Sequence, residues 1–160
     1  MNAAERRKEA WVFTMTGGAV YDNLDWSFTN DDMSGKGIHI KGKYKPGKPV
    51  KRQLEILQHT LENFDVINAR PLDSTYKING IETYGLGIRK KDYLIYLLKT
   101  KVNSSPAWNM ALPDGNYRVK WMDPSNGNTT GDSVIQVRQN HVILKLPSFS
   151  EDQVLRIKRL

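Results

Sequence analysis

The sequence contains no cysteine among its 160 residues, and this absence excludes several kinds of site at once. Disulfide bonds, thiolate zinc sites and a cysteine nucleophile are all ruled out. No apolar run approaches the roughly 18 residues needed to cross a bilayer, so we expect no transmembrane helix. The amino terminus carries charge but no apolar segment of signal-peptide length, so we expect no export signal in this sequence.

Histidine is scarce, and the serines lack a catalytic context. The three histidines, His39, His59 and His141, lie far apart and share no metal-ligand spacing. No serine lies in a G-x-S-x-G motif. We therefore predict no metal site, no cofactor and no acyl-transfer chemistry.

Acidic residues are missing from one long stretch of the chain, although the net charge of the whole is only +7. Residues 36–52 hold seven basic residues and no acidic one. Lys41, Lys43 and Lys45 are the candidates there for contact with a polyanion. Tyr44 is the only aromatic residue of the stretch, which gives nucleic-acid binding little support. An acidic polysaccharide or a neighbouring domain fits equally well, and a solvated loop is the favoured interpretation.

Residues 22–32, just before this basic stretch, have the opposite charge. They hold four aspartates and no lysine or arginine. Carboxylate oxygens suit calcium, but the regular ligand spacing of a calcium loop is missing. Solvated turn residues are therefore the favoured interpretation.

Two helices are predicted in the amino-terminal part. Residues 3–16 are rich in Ala, Glu, Arg and Lys, and Gly17-Gly18 would end that helix. Residues 19–21 are interpreted as a brief buried strand that opens into a long loop. Residues 50–64 form a second helix with one apolar stripe. The stripe consists of Val50, Leu54, Leu57, Leu61 and Phe64.

The pattern changes near residues 70–74, where we place a boundary between two domains, 1–70 and 71–160. About seven short strands are predicted after it, a spacing typical of an antiparallel sandwich. Tyr117, Val119 and Trp121 alternate with polar residues, so we expect them in its core. The predicted fold class is α+β by content, with an antiparallel β-sandwich preceded by a helix–strand–loop–helix segment.

Two stretches together resemble a known family. "ERRKEAWVFTMTGGAVYDNLDWSF" (5–28) is similar to the last turns of bacterial (β/α)8-barrel glycoside hydrolases. There, an Arg-Arg-x-x-x-Trp helix leads through small residues into the eighth barrel strand. "LPDGNYRVKWMDPSNGN" (112–128) and "LPSFSEDQVLRIKR" (146–159) resemble the small β-sandwich appended to that barrel, which is catalogued as a collagen-binding domain. The resemblance implies a C-terminal barrel remnant and an extracellular or periplasmic parent protein.

The resemblance also implies where a ligand would bind. The catalytic carboxylates of such barrels lie on earlier strands, so no residue here is assigned to catalysis. The candidate sugar contacts at the end of the eighth strand are Tyr21, Asp22, Asn23, Asp25 and Trp26. Burial of Trp26 within its own loop is the alternative. In the sandwich, Trp108 lies in a stretch interpreted as irregular. It is the first candidate for stacking on a carbohydrate or collagen-like ligand, but burial under the loop is the favoured interpretation.

The apolar stripe of the second helix needs a partner. Each fully buried Leu or Phe contributes roughly 1.5–3 kcal/mol, so an exposed stripe would be a severe liability. We expect the two helices to pack together and against one end of the sandwich. The missing barrel or another copy of the chain are the alternative partners.

Overall fold

The computed structural model describes residues 3–19, 21, 48–72, 78–101 and 107–160. Two helices precede eight strands in the described part of the chain. The helices are α1 (Ala3–Met15) and α2 (Lys48–Glu62). The strands are β1 (Arg70–Pro71), β2 (Ile81–Ile88), β3 (Asp92–Lys99), β4 (Ala107–Ala111), β5 (Gly115–Met122), β6 (Thr129–Val137), β7 (His141–Lys145) and β8 (Asp152–Arg159). Neither helix has the length and apolar composition needed to span a bilayer.

The two helices form where the sequence predicts them. At the end of α1, Gly17 N donates to Thr14 O and Gly18 N donates to Phe13 O. Gly17 has a φ of 96°, a conformation that residues with a side chain rarely adopt, so a glycine is required at this stop. The helix α2 begins at Lys48 and ends two residues before Phe64.

Every strand pair among the described residues is antiparallel. One sheet has six strands in the order β1-β2-β3-β8-β5-β6, and a second sheet consists of β4 and β7. The fold is therefore α+β by content with an antiparallel sandwich after the helices, as predicted. The predicted turn after β5 is confirmed: the Asp123 carboxylate accepts bonds from the backbone N of Ser125 and from Asn126 Nδ2, both at 2.8 Å.

The six-stranded sheet is the middle of three layers. Its inner face packs on β4 and β7 around a core that includes Ile95, Trp108 and Tyr117. Its other face packs on α1 and α2 through Leu94, Tyr96 and Val154. Alternate residues of β3 enter the two cores, which is why residues 92–97 are all buried. The helices thus pack together as predicted, but they cover a face of the sheet rather than one end of the sandwich.

The predicted strand at residues 19–21 is only partly described, because Val20 lies outside the described residues and neither Ala19 nor Tyr21 is part of a described strand. It stays a prediction. Another local prediction is wrong. The stretch around Trp108, interpreted as irregular, is strand β4. Its residues alternate between exposed and buried, and Trp108 and Met110 point into the core.

Candidate functional site

A buried ion pair joins α1 to the sheet. Arg7, on the first half of α1, donates from Nε to Asp152 Oδ2 at 2.8 Å and from Nη2 to Asp152 Oδ1 at 2.9 Å. Tyr96 on β3 donates its hydroxyl to Asp152 Oδ2 at 2.7 Å. Asp152 is the first residue of β8, so one carboxylate receives three hydrogen bonds from two other elements.

The electrostatics of this cluster favour the ionised pair. Burial opposes the charge on Arg7, but the hydrogen bonds and the charge of Asp152 outweigh it and raise the pKa of the guanidinium. Burial, followed by the neighbouring Asp152 charge, raises the pKa of the Tyr96 hydroxyl far above its ordinary value. The tyrosine hydroxyl therefore keeps its proton at neutral pH and donates it in the hydrogen bond to the carboxylate.

Trp11 completes the cluster. Its ring stacks on Tyr96 with centroids 5.5 Å apart and planes 9° from parallel, and it is fully buried. Arg7 and Trp11 are four residues apart and therefore share one face of the helix. This explains the Arg-x-x-x-Trp spacing in physical terms: one face of α1 carries both the charged and the aromatic contact with the sheet. The arrangement fixes α1 to β3 and β8 and buries the carboxylate, whose side chain is 4% exposed.

An open apolar groove lies between the C-terminal end of α1 and α2, and it extends to β1 and β2 of the sheet. Two contiguous cavities of about 520 and 500 Å³ share Thr14, Gly18, Ala19, Leu61 and Val66 as lining residues. The apolar rim remains accessible to solvent, with Val66 44% and Ile67 83% exposed. Exposed large apolar side chains beside a groove are typical of an interaction surface.

Tyr21 lies on this groove. Its hydroxyl donates to Glu9 Oε2 at 3.1 Å, and its ring packs at a tilt on Phe13, with centroids 5.8 Å apart. Of the candidate sugar contacts at the end of the predicted eighth strand, it is the one that lies within the described part of the chain. The others, Asp22, Asn23, Asp25 and Trp26, lie outside the described residues, as do Lys41, Lys43 and Lys45. Their predicted roles stay predictions.

Trp108 is 1% exposed, and its ring is part of the core between the two sheets. The favoured interpretation of burial agrees with this, although the ring lies in a strand rather than under a loop. Stacking on a ligand would require the ring to leave that core, and that role stays a prediction. Within the described ranges, no group of three or more His, Asp or Glu residues could hold a metal ion.

The Arg7–Asp152–Tyr96 cluster was not predicted from the sequence. Arg7 and Asp152 are 145 residues apart along the chain, and no local pattern marks Asp152 as buried. The one usable signal is the four-residue spacing of Arg7 and Trp11, which places a cation and a large ring on one helix face.

Comparisons with known proteins extend this description. No protein-family model and no curated protein matches the chain. Among solved structures, a glycoside hydrolase family 5 protein from Bacteroides vulgatus ATCC 8482 is similar with a TM-score of 0.66 and 13% identity, over 99% of this chain and 36% of that one. A second structure, described as a glycoside hydrolase, has a TM-score of 0.51 and 12% identity, over 74% of this chain and 28% of that one.

The chain thus spans about a third of the length of the solved proteins that it resembles. At these identities the likeness shows a shared fold and not a shared activity. It agrees with the coarser part of the sequence resemblance, because the chain has the fold of a segment of glycoside hydrolases.

Proposed function

We propose that the chain is a non-catalytic C-terminal region of a glycoside-hydrolase-like protein. Residues 1–70 would be the last part of a (β/α)8 barrel, and residues 71–160 a β-sandwich that supports it. The observation that carries the proposal is the unequal coverage: the likeness extends over 99% of this chain but only 36% of the family 5 protein.

The groove between the helices supports this proposal. The stripe residues Val50, Leu57 and Phe64 are buried, while Leu54 and Leu61 are partly accessible. Leu54 and Leu61 line the groove together with Val66. An apolar surface of this kind suits the remaining barrel, which would cover it in a longer protein or from a separate chain. A second copy of this chain is the other occupant to test.

The use of the buried carboxylates supports a non-catalytic role. Among the described residues the buried carboxylates are Asp92 and Asp152, and each is held by an arginine. A glycosidase needs one carboxyl group to protonate the leaving oxygen and a second to attack or to activate water. Both buried carboxylates are instead committed to ion pairs that join elements of the fold.

Turnover of aryl glycosides tests the non-catalytic role. We expect no turnover by the 160-residue chain. Turnover that disappears on Asp22→Asn or Asp25→Asn would show that the chain is an enzyme by itself and would overturn the proposal.

Retention on ligands tests the role of the sandwich. We propose that it binds a carbohydrate or a protein such as collagen, and a pull-down with insoluble polysaccharides and with collagen examines both. Retention on one of them identifies the ligand class. No retention leaves the sandwich as a structural support alone.

The occupant of the groove is tested separately. Sequencing of the genomic DNA upstream of Met1 should find the remaining barrel strands, in frame or in a neighbouring gene. Sedimentation of the wild-type chain and of Ile67→Lys distinguishes the second copy: a dimer that the substitution dissociates would place another copy of the chain in the groove.

The alternative function, polyanion or nucleic-acid binding through residues 36–52, concerns residues outside the described ranges. It stays a prediction.

A further inference from the structure

The face of the six-stranded sheet beside α2 carries a concentration of positive charge. In the register of β5 and β8, Arg118 lies directly opposite Lys158, and Lys120 lies directly opposite Arg156. These four side chains share one face because Tyr117, Val119 and Ile157 between them point into the sandwich core. Like charges directly opposite each other destabilise a sheet. An anion bound over these two neighbouring pairs would reduce that repulsion.

Two carboxylates neutralise part of this charge. Asp132 on β6 accepts from Arg118 Nε at 2.9 Å and Nη2 at 2.7 Å. Asp92 on β3 accepts from Arg156 Nε at 3.2 Å and Nη2 at 2.8 Å. Both arginines are therefore committed to bidentate pairs.

The two lysines have no such carboxylate partner. Lys120 and Lys158 are exposed and lie within 4 Å of no carboxylate oxygen in the described part of the chain. Lys120 faces Asp132 across the ladder and helps to lower the pKa of that carboxylate. Four cations against two carboxylates leave a net charge of +2 on this surface.

A groove of about 540 Å³ opens beside Lys120, between α2 and the sheet, and Lys158 lies on the same face of the sheet outside the lining of the groove. Lys120 and Arg156 line it from the sheet, and His59, Thr60 and Asn63 line it from the helix. His59 Nδ1 also lies 2.9 Å from Glu62 Oε2, so a third carboxylate lies at the helical side of the groove and lowers the net charge of the face and groove together to +1. The rest of the lining is largely apolar and includes Leu94, Met122 and Val154. Thr60 Oγ1 and Asn63 Nδ2 already donate to carbonyls of α2, so the two cations are the groups that would orient an anionic ligand.

We propose that the β5–β8 face and this groove bind an acidic polysaccharide, with Lys120 and Lys158 as its principal cationic contacts. The choice of a carbohydrate depends on the proposed glycoside-hydrolase-like function. A nucleic acid is the less favoured polyanion, because no aromatic side chain among the described residues of this face is exposed for base stacking. Lysine ammonium groups meet either a carboxylate or a sulfate ester as point charges.

Affinity electrophoresis of the full 160-residue chain tests this proposal. The gels contain alginate as a carboxylated polymer, dextran sulfate as a sulfated one, or dextran as a neutral one. We expect retardation by at least one anionic polymer, not by dextran, and weakening of it by salt. Retardation by alginate identifies a carboxylated ligand, and retardation by dextran sulfate alone identifies a sulfated one.

Three variants locate the binding surface. Lys120→Gln/Lys158→Gln should weaken binding at least tenfold. Lys101→Gln/Lys145→Gln, which makes the same change of charge elsewhere on the surface, should weaken it less than threefold. Since the first variant also removes like-charge pairs, its melting temperature should not fall below that of the wild type. Loss of binding without loss of stability therefore reports a contact with the polymer.

Several outcomes would overturn the proposal. Undiminished binding by Lys120→Gln/Lys158→Gln is one. A loss confined to Lys41→Gln/Lys43→Gln/Lys45→Gln is another, because it would assign binding to the basic stretch. Binding to duplex DNA but to neither anionic polysaccharide is a third, and no binding to any polyanion is a fourth. None of these results bears on the absence of turnover, so the proposed non-catalytic function is judged independently.

Discussion

Replacing Asp152 with asparagine tests whether the Arg7–Asp152 pair holds α1 against the sheet. Both side chains are 4% exposed, so the pair is shielded from water. Asparagine keeps the shape and one acceptor oxygen, but it leaves the guanidinium without its counter-charge. Breaking a buried ion pair from one side costs about 3–5 kcal/mol. Glu151, half exposed and 3.3 Å from Arg7 Nη2, would recover part of this, so we expect a loss of about 3 kcal/mol.

Urea unfolding followed by circular dichroism measures this loss. With a slope of about 2 kcal/mol per M, the midpoint of Asp152→Asn should fall by roughly 1.5 M. The matched control is Glu151→Gln, which removes a carboxylate from the same arginine at an exposed position. We expect it to cost less than about 1 kcal/mol.

A double variant separates charge from packing. Arg7→Met/Asp152→Leu leaves no uncompensated buried charge, so it should be more stable than Asp152→Asn. The reasoning is refuted if Asp152→Asn shifts the midpoint no more than Glu151→Gln does. It is also refuted if the double variant is no more stable than the single one.

Three further predictions concern other parts of the fold. Trp108→Ala should cost about 3–5 kcal/mol by urea unfolding, since the ring fills the core between the sheets; a cost below 1 kcal/mol would place it outside that core. Gly17→Ala should lower the free energy of unfolding by about 1–3 kcal/mol and lower the melting temperature. The reason is that φ at residue 17 is 96° and a Cβ there would lie 2.9 Å from Pro71 Cγ. An unchanged melting temperature would contradict this. The hydrogen bonds from Arg118 lower the pKa of Asp132, so its stabilising effect is present above about pH 4 and is lost as the pH falls through the lowered pKa. NMR titration should show this low pKa and its return toward about 3.9 in Arg118→Gln; an ordinary pKa in the wild type would contradict the pair.

Local patterns predict much of this fold because they depend on neighbours in sequence. The stripe of α2 and the alternation of Tyr117, Val119 and Trp121 place these elements and their buried faces correctly. The strand β4 was missed because it has only five residues and lies between two prolines, Pro106 and Pro113. Its signal is present in the alternation of Trp108, Met110 and Leu112, all of which are buried.

The position of the helices depends on long-range contacts and was not predictable in the same way. Burial of β3 on both faces is signalled by the apolar run at residues 93–98, but nothing in that run specifies what covers each face. The outer face is covered by α1 and α2, and α1 is held there in part by the ion pair between Arg7 and Asp152, which are 145 residues apart in the sequence. The cationic face was missed for a similar reason, because Arg118 and Lys158 meet only through strand pairing.

The position of β8 has a consequence for how the chain is made. This strand is the last of the eight, yet it lies between β3 and β5, near the middle of the six-stranded sheet. Because β3 and β5 are synthesised before β8, the edges of these two strands that pair with β8 have no partner from β8 until residues 152–159 have been made. The β8 strand can join β3 to β5 only after the ribosome has released residues 152–159. A nascent chain that stalls earlier therefore exposes two unpaired strand edges, which can pair with other chains and aggregate.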